Sequence, residues 1–78
     1  MKIILVGNDN NSTLKLKKEL SDSGISFDFI DYDKNKRFVI DLNIRFIPTI
    51  LIYKNGELVK SLKLPITIDQ IKNEISGI

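Results

Sequence analysis

The sequence predicts an α/β fold whose elements follow the order βαβαββα. Two short runs, Ile3 to Val6 and Thr49 to Tyr53, are apolar on both faces, which is typical of strands at the centre of a covered sheet. A helical pattern that places Leu16 and Leu20 on one face lies between them. Asn55-Gly56 then turns the second run back as a two-residue hairpin. Together these features predict a four-stranded mixed sheet flanked by three helices.

The first helix follows the first strand after a polar loop, Gly7 to Thr13, which contains several residues that cap helices well. We expect the helix to begin at Asn10 or Asn11 and to run to about Ser23. Gly24 supplies the left-handed residue at which such helices end.

The middle of the chain predicts an edge strand and a short basic helix. Ile25 to Phe29 alternates apolar and polar residues, as half-buried strands do. Asp33 is expected to cap a helix from about Lys34 to Leu42. The side chains of that helix that we expect to face inward are those of Phe38, Val39 and Leu42.

The last part of the chain predicts a second edge strand and a third helix. Glu57 to Leu62 forms the returning strand of the hairpin, and Pro65 interrupts the chain after it. Thr67 and Gln70 have the spacing of a capping box, so the helix begins there. Its apolar stripe consists of Ile68, Ile71, Ile75 and Ile78.

Pro48 stands immediately before the second apolar run. A proline cannot donate a ladder hydrogen bond, so it belongs at the first position of the strand, and a cis peptide is cheap only before proline. The stretch from Asn43 to Leu58 reads N-I-R-F-I-P-T-I-L-I-Y-K-N-G-E-L. It closely resembles the segment that thioredoxins and their glutaredoxin-like relatives carry around a cis-proline. The residues in family register are Arg45, Ile47, Pro48, Thr49, Lys54, Asn55, Gly56 and Glu57.

This resemblance implies a thioredoxin-like fold and, in the family, a Cys-x-x-Cys pair at the start of the first helix. Matching Lys17 to Leu20 with the helix of the family puts the two cysteine positions at Asn10 and Thr13. The chain has no cysteine, so it cannot exchange thiols and disulfides. It also has no histidine, so no imidazole can activate the Thr13 hydroxyl. We therefore expect no catalytic residue and no enzymatic activity.

The polar residues at the start of the first helix have two possible roles, and the sequence leaves both open. In one, they serve only as caps and turn residues. In the other, they form a groove for a protein or peptide partner, because helix amides and strand backbone can hold an extended chain. The residues of that candidate groove are Asn10, Asn11, Ser12, Thr13, Ile47 and Pro48.

Two functions follow from these interpretations. The first is a redox-inactive thioredoxin-fold protein that acts as a binding or structural module. The alternative is a thioredoxin/glutaredoxin-type thiol-disulfide oxidoreductase whose cysteines were replaced by divergence or by engineering. Nothing in the sequence favours a different enzyme on this scaffold.

Composition limits the remaining possibilities. Seventy-eight residues, 42% of them hydrophobic, predict one small domain over residues 1–78. Twelve basic and ten acidic residues give a net charge of +2, which creates no strong field for nucleic acid or anionic membrane. The longest apolar run is too short to span a membrane and no signal-peptide pattern is present, so we expect a cytoplasmic protein.

Several ligand classes are not expected. The carboxylates that suggest a metal site are those of Asp28, Asp31 and Asp33, but a solvated edge strand and a helix cap account for them. The basic residues that could contact phosphates are Lys34, Lys36 and Arg37, and neighbouring acidic residues dilute their charge. Glutathione is not expected either, because Ser61 to Pro65 lacks the glycine pair and acidic residue of glutaredoxins. We expect neither a cofactor nor a metal.

Overall fold

The computed structural model describes residues 1–42 and 44–78, and Asn43, the first residue of the proline-containing stretch, lies outside the described residues. The elements in chain order are β1 (Lys2–Gly7), α1 (Asn11–Asp22), β2 (Asp28–Asp31), α2 (Lys36–Asp41), β3 (Thr49–Lys54), β4 (Glu57–Lys63) and α3 (Ile68–Ser76). The predicted order βαβαββα is confirmed. None of the described helices combines the length and the apolar content that crossing a membrane requires.

The strands form one mixed sheet in the order β2-β1-β3-β4. β1 runs parallel to β2 and antiparallel to β3, and β3 pairs with β4 through the hairpin. The two runs that are apolar on both faces therefore lie at the centre, as predicted, because only central strands bury both faces in a covered sheet.

Helices cover both faces of this sheet. On one face, α1 and α3 pack on the strands through Ile3, Leu5, Leu16, Leu20, Ile50, Ile52 and Ile71. On the other face, the shorter helix α2 contributes Val39, which packs with Ile4, Val6 and Leu51. The side covered by α2 is the less protected one, since that helix buries a single side chain.

The predicted local signals are confirmed at three places. Asn10 is the N-cap of α1, and Gly24 follows the helix with a φ of 80°. Asn55 and Gly56 both have positive φ, 54° and 80°, as a type I′ turn requires. The reciprocal hydrogen bonds of the capping box between Thr67 and Gln70 are both formed at the start of α3.

The prediction for β2 was wrong in its bounds. The strand comprises Asp28–Asp31 rather than Ile25 to Phe29, because pairing with β1 begins where Asp28 lies opposite Ile4. Ile25 and Phe27 are half-buried and pack against the cluster of the α1 and α3 face without a ladder partner. The alternation of this segment therefore reflects packing on one side rather than strand pairing.

The start of α2 also differs from the prediction. The helix begins at Lys36, and Asp33 does not cap it. Instead, the Asp31 carboxylate accepts hydrogen bonds from the backbone N–H groups of Asp33 at 2.9 Å and Lys34 at 3.4 Å. This side-chain turn holds both residues outside the helix.

The inward face of α2 is narrower than predicted. Val39 is fully buried and Leu42 is half-buried, but Phe38 is 43% exposed, so the prediction that Phe38 faces the core was wrong. A helix of only six residues presents one side chain per turn to the sheet, and Val39 occupies that position.

Candidate binding groove

Three chain segments meet at one edge of the sheet. The parallel register pairs Gly7, the last residue of β1, with Asp31, the last residue of β2. The antiparallel register pairs Val6 with Thr49, the first residue of β3. The start of α1, which follows β1, and the Ile47-Pro48 segment, which precedes β3, therefore lie at the same edge.

At the start of α1, Asn10 acts as a cap with extended backbone angles. Its Oδ1 accepts a hydrogen bond from the backbone N–H of Thr13 at 2.7 Å. Its own N–H donates to the Asn8 side chain at 3.0 Å, which closes the preceding loop. Asn10, Asn11 and Ser12 are exposed, so they present their side chains at the surface of the candidate groove.

Thr13 lies beneath this surface. Its side chain is fully buried, and its hydroxyl has no hydrogen-bond partner within the described part of the chain. It packs on Gly7, where an added Cβ would lie 2.5 Å from Thr13 Cγ2 and 2.6 Å from Thr13 Oγ1. Thr13 thus lies beneath the exposed residues at the start of α1, between this turn and the end of β1.

Gly7 is the site residue that sequence reasoning missed, since it was interpreted only as the end of the first strand. The close approach of the helix start leaves no room for a side chain at this position. The available signal was its place: a glycine at the end of a buried strand, just before the loop that leads into a helix.

The proline segment is the second part of the candidate groove. The Ile47-Pro48 peptide bond is cis, as is Leu64-Pro65. Pro48 is buried, and Ile47 is half-buried against the cluster on the α2 face. The Thr49 hydroxyl donates a hydrogen bond to the Phe46 carbonyl, which ties the two ends of this turn together.

A depression of about 340 Å³ adjoins the proline segment on the β4 side. Thr49 and Ser61 line it from the sheet, and Arg45, Phe46 and Lys63 line it from the segment before Pro48 and from the end of β4. The Lys63 ammonium lies 4.8 Å from the centroid of the Phe46 ring, within the range of a cation–π interaction. Sequence reasoning assigned neither Phe46 nor Lys63 to a site.

A larger depression of about 770 Å³ also borders the start of α1. Ser12 and Leu16 line it from the helix, and Pro65 and Thr67 line it from the segment between β4 and α3. Ser12 is the one predicted groove residue among those that line this depression. Within residues 1–42 and 44–78, no three acidic side chains come close enough together to hold a metal ion.

A four-stranded mixed sheet with helices on both faces, and a proline segment opposite the start of the first helix, defines the thioredoxin fold. The family model described as Thioredoxin matches residues 10–77. This chain therefore belongs to the thioredoxin family, and it does so without a cysteine.

Solved structures agree on the fold. Thioredoxin 1 from Thermosipho africanus is 21% identical with a TM-score of 0.78, and the match covers 99% of this chain and 92% of that one. A mutant thioredoxin from Halobacterium salinarum is 19% identical with a TM-score of 0.87, covering 96% and 71%. A designed protein is 23% identical with a TM-score of 0.74, covering 97% and 73%. No curated protein matches the chain.

Proposed function

We propose that this chain is a redox-inactive member of the thioredoxin family that binds an extended segment of a partner protein. The binding surface is the proline groove, defined here as the surface between Asn10–Thr13 and Ile47-Pro48. The observation that carries the proposal is the strand register, with Gly7 opposite Asp31 and Val6 opposite Thr49, which keeps both walls of the groove together although the thiols are absent. A cytoplasmic location, expected from the sequence, belongs to this proposal.

The absence of thiols supports the redox-inactive part of the proposal. Attack on a disulfide requires a thiolate, and positions 10 and 13 carry a carboxamide and a hydroxyl. The Asn10 carboxamide is occupied as a helix cap, and the Thr13 hydroxyl is fully buried. Neither group can form a mixed disulfide.

The geometry of the walls supports the binding part. A helix start presents backbone N–H groups and the positive end of the helix dipole, and both favour carbonyl oxygens or anions. The residues before β3 offer backbone that is not yet paired in the ladder, since pairing with β1 begins at Thr49. An extended peptide can bind to such backbone as an added strand does.

Peptide titration of the full chain tests this function, with backbone amide shifts recorded by NMR. The probe is a set of short synthetic peptides of varied sequence. We expect the shifts to concentrate at residues 10–13 and 46–49. Shifts spread over α2 or β2, or no response to any peptide, would contradict the proposal.

A matched pair of variants on α1 sharpens the test. Ser12 and Ser21 are both exposed serines on this helix, about 13 Å apart along its axis. Ser12→Trp adds a large ring at the start of α1, so we expect it to weaken peptide binding. Ser21→Trp adds the same ring at the far end and should leave binding unchanged.

Family membership favours a second candidate, a thiol-disulfide oxidoreductase whose cysteines were replaced. The Asn10→Cys/Thr13→Cys variant tests it, because it restores cysteines at the two positions that match those of the family. Position 10 is the exposed cap of α1, and position 13 is buried. We expect no disulfide reduction by the unmodified chain and measurable reduction by the double variant. Turnover by the unmodified chain would refute redox inactivity, whereas a folded but inactive double variant would indicate long divergence toward another role.

A further inference from the structure

The depression beside the proline segment has an unusual rim. Phe46 is 61% exposed, although a phenyl ring gains free energy from burial. Arg45 precedes it in the chain, and the Lys63 ammonium lies over its ring. We call Arg45, Phe46 and Lys63 the basic rim.

The rim carries positive charge that the described residues do not neutralise. No Asp or Glu is among the described residues that line the depression. In the described part of the chain, the lysines in ion pairs are Lys2 with Asp28 and Lys60 with Glu74, both away from this surface. Arg45 and Lys63 are therefore available to a ligand of opposite charge.

The basic rim is continuous with the proline groove. Lys63 pairs with Thr49 in the β3–β4 ladder, and Thr49 directly follows Pro48. The distance from β1 across β3 to β4 is two strand spacings, or about 10 Å. About three residues of an extended chain span this distance. A segment held at Pro48 therefore meets the rim within a few residues.

We propose that the basic rim selects an acidic segment for the proline groove, an inference that rests on the proposed function. Carboxylates of the partner bind the Arg45 guanidinium and the Lys63 ammonium, and a neighbouring apolar side chain covers the Phe46 ring. On the other side of the proline groove, β2 ends at Asp31. The negative charge of Asp31 disfavours binding of the segment with its acidic end toward β2. The charge pattern thus gives the bound segment a direction, with its acidic end toward β4.

The experiment compares two synthetic peptides of equal length on the full chain by fluorescence anisotropy. Both contain phenylalanine, and one carries glutamates where the other carries lysines. We expect roughly tenfold tighter binding of the glutamate peptide, and weaker binding at higher salt because exposed charges are screened. The amide shifts caused by this peptide should include residues 44–46 and 61–63.

Charge reversal provides the matched control. Arg45→Glu/Lys63→Glu should reduce affinity for the glutamate peptide roughly tenfold and favour the lysine peptide. Lys18→Glu/Lys72→Glu makes the same change in net charge on exposed positions of α1 and α3, and should leave the preference unchanged. Circular dichroism confirms that both variants are folded.

Three outcomes separate this inference from the proposed function. Equal binding of both peptides with shifts at residues 10–13 and 46–49 would overturn the acidic preference and keep the groove. Binding of neither peptide would overturn both. Tighter binding of a single-stranded DNA oligonucleotide than of the glutamate peptide would assign the rim to phosphates and overturn the inference.

Discussion

Gly7 and Thr13 fit against each other beneath the start of α1, with the strand backbone and the helix side chain in close contact. A Cβ added to Gly7 would lie 2.5 Å from Thr13 Cγ2, closer than real Cβ atoms approach other atoms. This contact sets how closely the start of α1 approaches β1, and so positions Asn10 and its neighbours relative to Pro48.

The first prediction concerns Gly7→Ala. We expect the free energy of unfolding to fall by about 1–3 kcal/mol, because the new methyl group overpacks against Thr13. Urea unfolding provides the measurement. Gly77→Ala is the control, since its Cβ would lie 3.5 Å from the Asn73 carbonyl oxygen, an ordinary contact. If Gly7→Ala proved as harmless as this control, the close approach would not exist in solution.

A double variant checks the source of that loss. The Gly7→Ala/Thr13→Ala variant lacks the methyl and hydroxyl groups of Thr13 that the new Cβ would contact. We expect the double variant to lose less stability than the two single variants lose together, because the effects of substitutions at contacting residues are not additive. Simple additivity would show that the loss at Gly7 has another cause.

The second prediction concerns Thr13→Val. The Thr13 hydroxyl is buried without a partner among the described residues, so replacing it with a methyl group of similar shape should raise the free energy of unfolding by about 1 kcal/mol. Thr67→Val is the opposite control, because the Thr67 hydroxyl caps α3 and its loss should lower stability by about 1 kcal/mol. A loss at both positions would show that the Thr13 hydroxyl is hydrogen-bonded in solution.

The third prediction concerns the cap of α1. Asn10→Ala should lower the free energy of unfolding by about 1 kcal/mol, since the Thr13 N–H loses its acceptor. Asn10→Asp should retain stability, because a carboxylate also caps and interacts well with the helix dipole. Ser12→Ala, at an exposed position of the same turn, should change stability by less than about 0.5 kcal/mol. Equal effects of the two alanine variants would contradict the capping role.

The fourth prediction concerns the hairpin. Gly56 has a φ of 80° and no atom within 4 Å of an added Cβ, so only backbone strain opposes a side chain there. Gly56→Ala should lower the free energy of unfolding by about 1–2 kcal/mol. Thermal unfolding monitored by circular dichroism measures the loss, and Gly77→Ala again serves as the control. A neutral result would mean that the turn relaxes to a conformation without positive φ.

The features that sequence reasoning predicted well are those that depend on near neighbours in the chain. The hairpin at Asn55-Gly56 follows from the φ angles these two residues adopt easily. The capping box of Thr67 and Gln70 joins groups three residues apart. The absence of thiols follows from composition alone.

The misplaced elements are those whose limits depend on distant partners. β2 begins at Asp28 because Ile4 lies opposite that residue, which the alternation of Ile25 to Phe29 does not reveal. Phe38 is exposed because α2 has only six residues and packs on the sheet through Val39.

By itself, the sequence determined the order of the elements, the central strands, the hairpin turn, the caps of α1 and α3, and the absence of thiols, since these rest on local conformation and on residue type. Only the tertiary structure decided that Thr13 is buried against Gly7 and that Lys63 lies over Phe46. The first contact depends on how α1 packs on β1, and the second on the register of β3 and β4. Helix packing and register are both set by the core as a whole rather than by neighbouring residues.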